Sequence, residues 1–142
     1  MKRTFKKGLF FLEVPIYERE IAVFVGLNQR EALTEAKKQK CTKSFIETLE
    51  TDPETIEFLN APPVGGLERE GAARRINENR YFLFLKPFRN DWEYYDTLAH
   101  ECFHLTQFIG EPLQIWSDIE PPAYLYTFIF KTLRRKLSGN TV

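Results

Sequence analysis

Cysteine occurs only twice in the 142 residues, at Cys41 and Cys102, and histidine only twice, at His100 and His104. Two cysteines so far apart in sequence make no disulfide framework, so a reducing compartment is expected. Net charge is missing as well, since Lys+Arg and Asp+Glu stand at 20 each. A neutral chain has no broad electrostatic attraction to nucleic acid or to anionic lipid. The short clusters Arg74-Arg75 and Arg134-Arg135-Lys136 read as solvated surface. Long apolar runs are absent too. The charged start Met1-Lys2-Arg3 leads into an apolar run at 9–12 that Glu13 and Pro15 interrupt, well short of a secretion signal. The run at 124–130 is too short to span a bilayer. A soluble cytoplasmic protein is expected, with neither nucleic acid nor membrane as a partner.

What the chain does have is aromatic bulk. Hydrophobic residues make up 43% and aromatic residues 15%, with 13 Phe. Such side chains bury a large area each, so one compact domain over residues 1–142 is expected. Residues 9–14 and 20–26 are β-branched and aromatic and read as strands. Asn28 with Glu31 three positions on forms a capping box for a helix to about Lys40. Asp52-Pro53-Glu54 starts a short helix that stops before Pro62-Pro63. Residues 62–71 form the longest loop, either a lid or a connector. Residues 72–76 and 80–86 read as a hairpin turning near Asn77-Glu78-Asn79. Its second strand is apolar on both faces, so it should be covered on both sides or lie against a groove. Asn90-Asp91-Trp92-Glu93 caps a long helix from about Asp91 to Ile109, with Gly110 as its stop. Its expected apolar face holds Trp92, Tyr95, Leu98, Ala99, Phe103 and Phe108. A last helix begins near Glu120 and ends in a basic cluster that suits its dipole. The pattern is α+β.

Both histidines lie in His100-Glu101-Cys102-Phe103-His104. Four residues advance a helix by about 400°, so the two imidazoles leave one face a turn apart and can reach one Zn²⁺ at about 2.0–2.1 Å. Glu101 points about 100° round the helix, where it can reach a water on the metal rather than serve as a ligand. This is the H-E-x-x-H arrangement of zinc hydrolases. The competing reading is plain surface polarity, or histidines satisfied by hydrogen bonds in a core. Cys102, about 200° from His100, reads as a small buried apolar residue. Asp96, one turn before His100, either orients it or is simply solvated.

Together with the downstream Glu120-Pro121-Pro122-Ala123-Tyr124, this segment resembles the compact gluzincin metallopeptidases, or minigluzincins; small proteins of this appearance are common in phages. The resemblance covers 81–136, and the N-terminal half only by its general strand–helix pattern. It implies a zincin-like domain, with a small, mainly antiparallel sheet packed on the H-E-x-x-H helix and on a C-terminal helix carrying the third ligand. It implicates Glu120 as that ligand. Glu120 also fits a capping box with Ser117, and Asp118 and Glu111 stand in reserve. Tyr124, one turn after Glu120, is a hydrogen-bond partner for a ligand histidine, an oxyanion donor, or a core aromatic.

The expected function is therefore zinc-dependent hydrolysis of a peptide bond in a peptide or protein substrate. His100, His104 and Glu120 would hold Zn²⁺, and Glu101 would activate water. The strand at 80–86 is a candidate for pairing with an extended peptide. For a phage protein the location would be the host cytoplasm. The rival is a non-catalytic zincin-like zinc protein acting through a partner, whose metal would need a fourth ligand; Cys41 is the one spare cysteine. A nucleoside or cytosine deaminase is disfavoured, since the H-x-E and P-C-x-x-C patterns are both missing.

Overall fold

The computed structural model describes residues 7–60, 71–86, 91–113 and 120–139; the side chains at 16, 91–94, 120, 138 and 139 fall outside the description. The loop at 62–70, the cap at Asn90–Glu93 and Asp118 therefore lie outside the described residues.

Strand β1 (Gly8–Val14) runs through a 3-10 turn at Pro15–Tyr17 into β2 (Arg19–Val25). Helices α1 (Gln29–Lys38), α2 (Lys43–Thr51) and α3 (Pro53–Asn60) follow, then β3 (Gly71–Arg75), β4 (Arg80–Leu85), α4 (Asp91–Gly110) and α5 (Glu120–Gly139). Local signals explain several boundaries. Asn28 and Glu31 form the reciprocal capping box at α1. Gly26 closes β2 with φ 66°, a conformation that needs no Cβ. Asn77 Oδ1 accepts from the backbone N–H groups of Asn79 and Arg80, which turns β3 into β4. Helix α2 lies outside the helices expected from the sequence; it starts at the Thr42 side chain, which accepts from the Phe45 N–H at 3.2 Å.

The four strands lie in the order β1-β2-β4-β3. The outer pairs are antiparallel, but β2 and β4 are parallel, so the sheet is mixed. A parallel pair needs a long crossover, and here the chain between β2 and β4 supplies it through α1, α2 and α3. Strand β4 is consequently interior, bonded on one side to β2 and on the other to β3. This corrects the expectation that 80–86 could pair with a peptide: both of its edges are used. Among the described residues, β3 is the edge strand on that side.

Both faces of the sheet are covered. Ile21, Val23 and Val25 with Tyr81, Leu83 and Leu85 belong to the core under α4 and α5. The alternate residues Ala22, Phe24, Phe82 and Phe84 belong to the core under α1–α3. The period of two thus divides one apolar run between two cores. On the α1–α3 side Phe24, Phe45, Phe82 and Phe84 form linked ring contacts at 5.1–6.2 Å. Arg74 ties β3 to this layer, donating from Nε and Nη2 to the two carboxylate oxygens of Asp52 at 2.9 Å. The guanidinium's hydrogen bonds hold the Asp52 carboxyl below its usual range.

Helix α4 turns a different face to the core than its aromatic content suggests. Leu98, Cys102, Leu105 and Ile109 are all 0% exposed, whereas Tyr95 and Phe103 are 40% and 51% exposed. The buried set follows the helical period, which leaves Tyr95 and Phe103 off the core face. Among the described residues, no helix is long and apolar enough to cross a membrane.

Chemical denaturation of two variants checks this orientation. Leu105→Ala should cost about 2–5 kcal/mol. Phe103→Ala, although it removes the larger side chain, should cost less than about 1 kcal/mol. A larger loss for Phe103→Ala would mean that α4 is rotated.

Candidate metal centre

The core stripe of α4 determines where its other residues point. With about 100° between neighbours, His100 and His104 lie roughly opposite Leu98, Cys102 and Ile109, and Glu101 falls at the boundary. Burial follows this arrangement. Cys102 is fully buried, Glu101 is 4% exposed, and the His100 side chain is 70% exposed.

The two imidazoles converge. Their Nε2 atoms are 3.0 Å apart, with ring centroids at 4.6 Å and planes at 75°. Two bonds of about 2.0–2.1 Å to one ion span up to about 4 Å, so both nitrogens can reach a single Zn²⁺. Without a cation, one ring must donate a proton to the other; with one, both offer lone pairs. Glu101 Oε1 lies 3.9 Å from His100 Nε2. One donor atom from each of His100, Glu101 and His104 lies within 4.8 Å of the others. A buried carboxylate beside two convergent imidazoles suits a divalent cation, so these residues fit zinc. The Phe108 ring stacks on His104 at 6.1 Å and 20°, holding the imidazole from the next turn.

A concavity of about 650 Å³ opens over these groups. Helix α4 forms one wall, and Gly71 and Ala73 of β3 form the other. A Cβ at Gly71 would stand 2.7 Å from Thr97 Cγ2 and 3.1 Å from the Phe84 carbonyl oxygen. The strand therefore approaches the helix as closely as it does because residue 71 is glycine. Gly71 was legible as part of a turn-rich stretch, but no local pattern could show that it meets Thr97.

The other candidates are placed as follows. Asp96 lines the concavity at its end nearest the start of α4. Cys102 is on the core side; burial pushes its thiol up to about 12, so it is no thiolate at neutral pH. Cys41 belongs to the opposite core and does not join the histidines. Glu111 is exposed in the turn after α4 and outside the cluster. Tyr124 is not brought to the histidines. It is 71% exposed and lines an apolar groove with Val14, Pro15, Tyr17 and Phe128. Tyr126, two positions on, meets α4 instead, donating to the Ala99 carbonyl at 3.5 Å. A spacing within α5 relates Tyr124 to Glu120 but does not say which face of α5 meets α4.

For Glu120 only the backbone is described, as the first residue of α5. The Tyr126–Ala99 contact and the Arg134 guanidinium over Tyr95 show that α4 and α5 run antiparallel. Followed back to its first turn, α5 comes level with the part of α4 that follows His104. No protein-family model, curated protein or solved structure matches the chain.

Thiol titration tests the split between Cys102 and the face beside it. The native protein should react at about one thiol, Cys41, and at both after denaturation. Rapid reaction of Cys102 in the native state would place it in the concavity rather than the core.

Proposed function

We propose that this chain is a zinc-dependent hydrolase, a gluzincin-like metallopeptidase, with His100, His104 and Glu120 as metal ligands and Glu101 as general base. The observation that carries this reading is the convergence of the two Nε2 atoms, 3.0 Å apart, beside a buried carboxylate in an open groove. Glu120 enters by resemblance and by the level of its backbone on α5.

Zinc held there would lower the pKa of a coordinated water toward about 7 and polarise a substrate carbonyl. The protein's own part centres on Glu101. Its carboxylate takes a proton from the attacking water as the new carbon–oxygen bond forms. It then hands that proton to the amide nitrogen as the carbon–nitrogen bond breaks, releasing a carboxylate and an amine. Burial of Glu101 excludes bulk water from this exchange, and the core packing of Cys102 and Leu105 fixes the helix that aims it. Among the described residues β3 is the edge strand beside the groove, and its backbone groups suit an extended peptide. Tyr124 receives no catalytic role in this scheme.

Metal analysis and a peptide library test the proposal together. The parent should hold about one zinc and cleave peptides. Glu101→Gln should keep the zinc and lose roughly 10²–10⁴-fold in kcat. Loss of zinc in Glu101→Gln would make Glu101 a ligand rather than the base. Zinc binding without any hydrolysis by the parent would favour the non-catalytic zinc protein. Absence of zinc binding near neutral pH would defeat both readings.

The ligand set has its own test. Glu120→Ala and His104→Ala should each weaken zinc by more than the roughly 10–100-fold typical of residues behind the ligands. If Asp118→Ala does so and Glu120→Ala does not, the third ligand moves to Asp118.

A further inference from the structure

The groove over the histidines has two chemically different ends. Asp96 lines it one turn before His100, and Phe108 lines it one turn after His104. The two are separated by about 18 Å along the helix at roughly 1.5 Å per residue, with the metal pair midway. Asp96 is exposed, and among the described residues it makes no hydrogen bond or ion pair. Its charge is therefore not used by the fold. Phe108 is partly buried against the core and stacked on His104, yet it still lines the groove. Among the described residues the facing wall is Gly71 and Ala73, too small to fill either end.

Resting on the metallopeptidase reading, we infer that this groove selects peptides by two side chains on opposite sides of the scissile bond. A basic residue, Lys or Arg, is held by Asp96, and an aromatic or large aliphatic residue packs on Phe108. The spacing fixes where these anchors fall. Each end lies about 9 Å along the helix from the midpoint of the histidines, and an extended chain advances about 3.3 Å per residue. The selected residues therefore lie about two to three positions from the bond. Asp96 acts chiefly by rejecting acidic side chains, because an exposed ion pair adds little affinity while like charges are excluded. Phe108 acts by desolvating an apolar side chain against its ring. Neither group touches the reacting atoms; both determine which peptide reaches them.

Two readouts keep this inference separable from the hydrolase reading. Zinc-loaded parent, Asp96→Lys and Phe108→Ala are profiled on a peptide library. The same peptides are titrated onto zinc-loaded Glu101→Gln, with and without each change, by fluorescence polarisation. The parent should prefer Lys or Arg over Glu at one flank by roughly tenfold, and Asp96→Lys should reverse that preference. Compared at full zinc loading, Phe108→Ala should lower the preference for Phe or Leu over Ala at the other flank by roughly tenfold, and Phe108→Leu should retain it. Cleavage with a profile that neither Asp96→Lys nor Phe108→Ala shifts overturns the inference. Binding with these preferences but no cleavage by the parent upholds the groove and sinks the hydrolase reading. Neither binding nor cleavage of any peptide overturns both.

Discussion

The rotational setting of α4 governs everything proposed for this protein. Leu98, Leu105 and Ile109 are fully buried against β2, β4 and α5. At about 1.5–3 kcal/mol for each such side chain, turning the helix away would forfeit roughly 5–9 kcal/mol. That is comparable with the whole net stability of an ordinary domain, about 5–15 kcal/mol. The helix therefore has one rotation available, and in it His100 and His104 face the groove while Cys102 faces the core. Neighbours in sequence acquire opposite chemistry from a step of about 100°. Glu101 is a reactive candidate in a half-enclosed site, and Cys102 is an inert thiol behind it.

That setting depends in turn on the sheet. Strands β2 and β4 are the most continuously buried of the described strands, and their parallel pairing places them together at its centre. Their alternate residues feed two cores, so neither can slip by one position without moving Phe24 of β2, or Phe82 and Phe84 of β4, into the wrong layer. The bidentate pair between Arg74 and Asp52 adds a polar anchor that holds edge strand β3 to the α1–α3 layer. Because Asp52's folded carboxyl is held low, that anchor operates above the usual carboxylate range and is lost as pH falls through the folded value. The edge of the groove is thus supported from the side of the sheet remote from the histidines.

Features controlled by a few adjacent residues were legible in the sequence. The Asn28–Glu31 box, the Asp52-Pro53 start, the turn at Asn77 and the helix carrying His100 and His104 all follow from contacts within about four positions. Features controlled by distant parts of the chain were not. The parallel register of β2 on β4 joins residues on either side of three helices, and no local pattern encodes it. Helix α2 begins at a lone Thr42 cap and buries only Phe45 and Leu49, which is too little period to stand out. Tyr95 and Phe103 are apolar enough to be expected on the buried face, but which face is buried is decided by the rotation of the helix. In the same way, the step from Glu120 to Tyr124 is a relation inside α5, whereas the face that α5 turns to α4 is a tertiary property. It brings Tyr126 to Ala99.

The small residues of β3 connect these two levels. Gly71 lets the strand come so close to Thr97 that no Cβ fits between them. Ala73, two positions on and hence on the same face, continues a low wall along the groove. A bulkier residue at 71 would push strand and helix apart, and one at 73 would fill the space over Glu101. The same choice of residues thus brings the sheet edge near the histidines and keeps the space above them open. An edge strand with unpaired backbone groups is usually a liability that proteins cover or charge. Here, among the described residues, it borders the groove in which two imidazoles and a carboxylate converge. An extended peptide that satisfied that edge would be carried past the same three groups, so on this reading the edge serves recognition as well as architecture.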